Sequence, residues 1–103
     1  MAAAPPFVSY SSMSEAVVAE PEWPYVYSSL QAYKAHVQEY PGCQRMEVWA
    51  AFDDGAIRLH CYTTWDTPEQ LEEFIAVGYT FERLLADVGA APAERTLVME
   101  KVF

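Results

Sequence analysis

Basic residues are scarce in this chain: six lysines and arginines stand against fifteen acidic residues, for a net charge of −9. No Lys/Arg cluster exists that could neutralise successive phosphates, which argues against nucleic-acid binding. The same negative field is repelled by an anionic membrane surface. Long apolar runs are also missing, since no segment approaches the roughly 18 consecutive apolar residues of a spanning helix. The opening stretch MAAAPPFVSYSSMS lacks both the basic region and the long apolar region of a secretory signal, so a cytoplasmic location is expected. Two histidines and two cysteines are scattered without ligand spacing, and the four glycines form no phosphate loop or dinucleotide fingerprint. No metal, flavin, nicotinamide or other cofactor is therefore expected.

What the chain does have is apolar and aromatic content: 52% of its 103 residues are hydrophobic and 15% aromatic. That length supports one domain with a modest core. The aromatic load suits a ligand cavity or an oligomer interface as well as it suits close packing. Residues 1–12 read as a flexible N-terminal tail and residues 13–103 as the single domain.

A first strand is expected within Met13–Glu20, centred on Ala16-Val17-Val18-Ala19. Apolar residues then recur at Trp23, Val26, Tyr27, Leu30, Tyr33, Val37 and Tyr40, in three- and four-residue steps. This is the spacing of an amphipathic helix, firmest over Ser28–Glu39 and stopped by Pro41-Gly42. Two long strands follow, about Gln44–Phe52 and Ala56–Trp65, joined by Asp54-Gly55 as a type I′ turn. Thr67-Pro68-Glu69-Gln70 carries a capping hydroxyl, a first-turn proline, an acidic residue for the dipole and a Gln for a capping box. The stripe Leu71, Phe74, Ile75, Phe81, Leu84, Leu85 and Val88 is interrupted at Gly78-Tyr79-Thr80, where Thr80 is placed to cap a second helix. A last strand is expected over about Glu94–Val102. The order β-α-β-β-α-β is the ferredoxin-like arrangement with a four-stranded antiparallel sheet.

The hairpin has two unlike faces. Met46, Val48, Ala50, Phe52, Ile57, Leu59, Cys61, Thr63 and Trp65 share one, which is almost wholly apolar. Arg45, Glu47, Trp49, Ala51, Arg58, His60, Tyr62 and Thr64 share the other. Pairing across the turn sets His60 opposite Trp49, Tyr62 opposite Glu47, Cys61 opposite Val48 and Cys43 near Asp66. Five rows at about 3.3 Å each keep the two thiols too far apart to bridge. Helices can cover only one sheet face, and the other is too aromatic to stay in water, so a homodimer through that face is expected.

Several segments together resemble the antibiotic biosynthesis monooxygenase family of the dimeric α+β barrel superfamily. They are Pro41-Gly42-Cys43, Glu47-Val48, the run from Tyr62-Thr63-Thr64-Trp65-Asp66 through Thr67-Pro68-Glu69-Gln70-Leu71-Glu72-Glu73-Phe74, and Thr80 through Val88. The resemblance spans roughly residues 14–103. It implies a dimeric α+β barrel with a cavity between sheet and helices. It also implies cofactor-free oxidation, by O₂, of a phenolic aromatic polyketide-type substrate, with Trp65 matching the strand-ending Trp that lines the pocket of quinone-forming members. Those members carry Asn where this chain has Cys61. The haem-degrading relatives use an Asn on the first strand and a Trp and a His on the second helix, and this chain has none of these. Ring closure or isomerisation in the same fold, or non-catalytic binding, are the alternatives.

Trp65, His60 and Tyr62 are the candidate catalytic residues. His60 is the group suited to phenol deprotonation near neutral pH, although it points away from the Trp65 face. Candidate substrate contacts are Leu59, Cys61, Phe74, Tyr79, Arg83, Tyr27, Tyr33 and Trp49. Arg83 would suit a phenolate or carboxylate. Cys61 has no base beside it in the pattern, so as a reactive group it reads as a buried, inert thiol.

Overall fold

The computed structural model describes residues 9–102. Residues 1–8 of the expected tail lie outside the described residues. Strand β1 (Tyr10–Ala19) already takes in Tyr10, Ser11 and Ser12. A single 3₁₀ turn, Glu20–Glu22, leads into α1 (Trp23–Gln38). Then come β2 (Cys43–Asp53), β3 (Ala56–Trp65), α2 (Pro68–Val77), α3 (Phe81–Asp87) and β4 (Arg95–Glu100). The sheet order is β2-β3-β1-β4 with every pair antiparallel, which is the ferredoxin-like topology. No helix among the described residues is long and apolar enough to cross a membrane.

Local chemistry accounts for the element ends. In α1 the buried stripe is Val26, Leu30, Tyr33 and Val37. Tyr27, one step off that stripe, is 53% exposed and lies against Trp23 instead. Thr67 caps α2 by accepting from Gln70 N–H at 3.2 Å, and its hydroxyl donates to the Gln70 side-chain oxygen at 3.1 Å. Thr80 recaps the chain after a break, accepting from Arg83 N–H.

The hairpin register follows the Asp54-Gly55 turn as its composition requires, with Trp49 opposite His60 and Glu47 opposite Tyr62. Two details differ from expectation. Among the described residues only glycines take positive φ, so Gly55 (φ +78°) turns alone while Asp54 does not. That sign pattern belongs to a type II turn rather than type I′. A bulge between Cys43 and Arg45 adds one residue to β2, so Cys43 pairs with Trp65 rather than with Asp66. Both cysteines are free.

All helices lie on one side of the sheet. Trp65, Leu59 and Val18 from the sheet meet Val26, Val37, Leu71 and Leu85 from the helices, all essentially without solvent exposure. The hairpin outreaches this helical layer. Ala50 and Phe52 share the Leu59 face yet are exposed, and Phe52 makes an edge contact with Trp23.

The junction between α2 and α3 is held by close approach. Gly78 is buried, and a Cβ there would sit 2.5 Å from the Phe74 carbonyl oxygen and 2.6 Å from its ring. Gly78→Ala is expected to destabilise the fold by about 1–3 kcal/mol, the usual range for overpacking. Urea unfolding measures this, and an unchanged midpoint would show that the junction is not packed this way.

Candidate active site

Between the sheet and the helices lies a cavity of about 190 Å³. Its floor is the middle of the sheet: Ser12 and Ser14 from β1, Cys61 and Thr63 from β3, and Thr96 from β4. Tyr33 from α1 and Phe74 from α2 form the opposite wall. Ile75, Thr80, Phe81 and Glu82, at the end of α2 and across the junction, complete the lining. Ile75 and Glu82 are exposed, which places the mouth beside them.

The floor is polar because inward-facing positions of β1 at this level are serines, and each finds a hydroxyl across the ladder. Ser12 Oγ lies 2.5 Å from Thr63 Oγ1, and Trp65 Nε1 donates to the same Thr63 oxygen at 2.9 Å. Ser14 Oγ lies 3.1 Å from Thr96 Oγ1, whose hydroxyl donates to Glu82 Oε1 at 3.2 Å. One lining group is left over. The Tyr33 hydroxyl is buried and has no hydrogen-bond partner among the described residues. Buried polar groups are nearly always paired, so this hydroxyl is an exception, and its oxygen has essentially no accessible surface, which sets it behind the cavity lining. Burial, with smaller contributions from Cys61 and neighbouring tyrosines, raises the Tyr33 phenol far above its ordinary range, so it keeps its proton. Burial likewise pushes the Cys61 thiol up to about 12.

The residues singled out from the sequence divide into three groups. Cys61, Phe74 and Tyr33 line the cavity. Trp65 and Leu59 lie behind its wall with no exposed surface, and Trp65 backs Phe74 at a ring-centroid distance of 4.9 Å. Tyr79 and Arg83 brace the α2–α3 junction: the Tyr79 hydroxyl donates to Asp87, and Arg83 donates to the Gly78 carbonyl oxygen at 3.0 Å. Tyr79 also borders a more open groove between α1 and α3, shared with His36. Tyr27 faces solvent away from the cavity.

His60, Tyr62 and Trp49 come together on the opposite, open sheet face, where with Glu47 they line a shallow concavity. His60 Nε2 lies 3.0 Å from Glu15, which also pairs with Arg95 at 3.3 Å. The His60 hydrogen bond and these positive charges hold the Glu15 carboxyl below its usual value, even against some desolvation. The sheet therefore separates this acid–base group from the cavity.

Ser12, Ser14, Thr63, Thr96 and Glu82 were not singled out by sequence reasoning. The available signal was the alternation Tyr10, Ser12, Ser14, Ala16, Val18, which continues the strand register through what reads as a polar tail. No pattern in the chain places Glu82 over Thr96, since that contact depends on how the α2–α3 junction folds back on β4.

Because Cys61 is 2% exposed and its thiolate is disfavoured, iodoacetamide at pH 8 is expected to label Cys43 at least ~10-fold faster than Cys61. Peptide mapping by mass spectrometry reads the ratio. Equal rates would show that the cavity wall opens freely to solvent.

No family model and no curated protein matches this sequence. Solved structures do match. A candidate antibiotic biosynthesis monooxygenase from Nitrosomonas europaea superimposes with a TM-score of 0.71 at 14% identity, covering 92% of this chain and 91% of that one. Another, from Bordetella bronchiseptica, gives a TM-score of 0.70 at 13% identity, covering 92% and 98%. A haem-degrading protein from Mycobacterium tuberculosis gives 0.62 at 16% identity, covering 92% and 95%. Identities this low speak to fold alone, and one fold hosts many chemistries. The chain therefore shares its fold with these proteins.

Proposed function

We propose that this protein is a cofactor-free, monooxygenase-like tailoring enzyme that oxidises the phenolic ring of an aromatic polyketide-type intermediate in the cavity between sheet and helices. The observation that carries this reading is the cavity lining itself, in which the sheet hydroxyls of Ser12, Ser14, Thr63 and Thr96 lie across from the Tyr33, Phe74 and Phe81 rings. Aromatic walls with a few convergent polar groups are the usual make-up of a small-molecule site. The volume also sets a limit. An apolar cavity of about 150 Å³ accepts a benzene-sized molecule, so about 190 Å³ holds one aromatic ring. Further rings of a larger substrate would project through the mouth beside Ile75 and Glu82.

In this reading the substrate supplies the electrons and O₂ is the oxidant. One oxygen atom becomes a ring carbonyl, and the other leaves as water with two hydrogens from the substrate, giving a quinone. The cavity must first take up the phenolic proton. The carboxylate lining it, among the described residues, is Glu82 at the mouth, joined to the floor through Thr96 and Ser14. The phenolic hydrogen passes to Ser14, the Ser14 hydrogen to Thr96 and the Thr96 hydrogen to Glu82. An oxyanion is left inside and a neutral carboxyl at the mouth. His60 has no part in this step, because the sheet lies between it and the cavity.

Cys61 favours a second reading. It lines the cavity where the quinone-forming members of the resembled family carry Asn, and its protonated thiol is a poorer hydrogen-bond donor. Non-oxidative ring closure or isomerisation, or binding alone, fits that departure.

The open sheet face supports dimerisation. Trp49 is 63% exposed there and Leu97 38%, beside the His60–Glu15–Arg95 group. A second copy of this face would bury these side chains and close an α+β barrel.

Oxygen-electrode measurements with an anthrone-type phenol separate the readings. Uptake above the buffer control, with quinone absorbance appearing, is expected. No uptake would remove oxygenation for that substrate class. Glu82→Gln is expected to lower kcat by roughly 100-fold with little change in KM, as for loss of a general base. Light scattering is expected to give a dimer mass for the native chain and a larger monomer fraction for Trp49→Ser; a native monomer would overturn the barrel.

A further inference from the structure

Outside the helical wall of the cavity, α1 and α3 border the more open groove, a space of about 540 Å³ whose lining includes Ala32, Tyr79, Leu84 and Val88. Tyr33 is the residue that lines both this groove and the inner cavity. Its ring lies 6.3 Å from Phe81, a cavity residue, and 5.9 Å from Tyr79, a groove residue. One buried aromatic side chain therefore stands between the two spaces.

The residues around Tyr33 are fixed by hydrogen bonds, and Tyr33 is not. The Tyr79 hydroxyl donates to Asp87, and the Arg83 guanidinium donates to the Gly78 carbonyl oxygen. The Tyr33 hydroxyl has no partner among the described residues, so turning the side chain aside breaks no hydrogen bond. It gains one, because the stranded hydroxyl then reaches water in the groove. A phenylalanine in its place would form the same wall without stranding a hydroxyl. An aromatic residue on a helix has two open χ1 wells, near 180° and −60°, so the side chain has a second staggered position to turn to.

We propose that Tyr33 is the specificity-determining residue for ligand size, acting as a gate between the inner cavity and the α1–α3 groove. The proposal rests on the cavity being the substrate site and identifies what sets its size limit. In the position seen here, Tyr33 confines the cavity to about 190 Å³ and one ring. Turned aside, it joins the cavity to the groove, and a second ring fused to the first crosses the line of the former wall. An aromatic ring needs about 150 Å³. The groove of about 540 Å³ therefore has room for the displaced side chain and for the added ring. Ala32, Leu84, Val88 and the Tyr79 ring offer that ring an apolar bed.

Two neutral alcohols, benzyl alcohol with one ring and 2-naphthalenemethanol with two, test this by NMR titration of the ¹⁵N-labelled protein. With the native chain, benzyl alcohol is expected to shift amides of the cavity residues Ser14, Thr63 and Thr96. The two-ring alcohol is expected to shift these and also the groove amides of Ala32 and Leu84. Tyr33→Phe removes the hydroxyl whose hydration favours opening. It is expected to bind the two-ring alcohol about fivefold more weakly than the native chain, one hydrogen bond's worth, with benzyl alcohol unchanged. A wall that never moves would not respond to this variant. Tyr33→Leu removes the ring and is expected to bind the two-ring alcohol about fivefold or more tightly than the native chain. Equal binding of the two-ring alcohol to native and Tyr33→Phe protein would overturn the gate, even where Tyr33→Leu fails to fold. Absence of two-ring binding to the native chain would overturn it as well. So would shifts at Ile75 and Glu82 with none in the groove, because the second ring would then leave through the mouth. In each of these cases benzyl alcohol still shifts the cavity amides, and the cavity stands as a ligand site. If benzyl alcohol shifts none of them, the cavity's assignment as the substrate site falls, and the gate falls with it.

Discussion

The structure turns on a band of hydroxyls running across the middle of an otherwise apolar sheet face. Ser12 pairs with Thr63 and Ser14 with Thr96, and Trp65 adds its indole N–H to Thr63. Short polar side chains pack a helix–sheet interface poorly but satisfy one another at close range. On the Val18–Leu59 side of the band the core closes tightly. Over the band itself the helices stand off, and the space left is the cavity. The polar pairs thus set where the void lies and what chemistry it presents.

The second consequence is a division of labour between sheet faces. The imidazole and carboxylate best able to exchange protons, His60 and Glu15, lie on the open face, with Arg95 paired to Glu15. The cavity face has hydroxyls, a thiol and aromatic rings, with a carboxylate only at the mouth. Period-two side-chain alternation enforces this, since His60 and Cys61 are neighbours in β3 and must point to opposite sides. Any chemistry in the cavity therefore draws on relays and on a polarised environment rather than on an imidazole.

Much of the architecture was legible from the chain. Pro41-Gly42, Asp54-Gly55 and Thr67-Pro68 mark element ends through backbone constraints that act locally. The hairpin register follows from the position of its turn. What depends on distance was not legible. The bulge beside Cys43 shifts one pair and leaves no composition signal. Phe52 and Ala50 sit on the core side by alternation but lie beyond the reach of the helices. Ser12 looks like tail because its neighbours are polar, and only its pairing with Thr63 makes it a buried strand residue.

By itself, the sequence determined the order of elements, the turn positions, the split of the hairpin into two faces and the fold class. All of these depend on local dihedral preference and on periodicity. Tertiary structure alone decided which inward residues leave a void, that the Tyr33 hydroxyl is buried without a partner, and that Glu82 reaches Thr96. Those facts arise where α1, the α2–α3 junction and β4, far apart in the chain, meet over one stretch of sheet. No spacing along a single element encodes such a meeting, because it depends on how the helical layer lies across the strands.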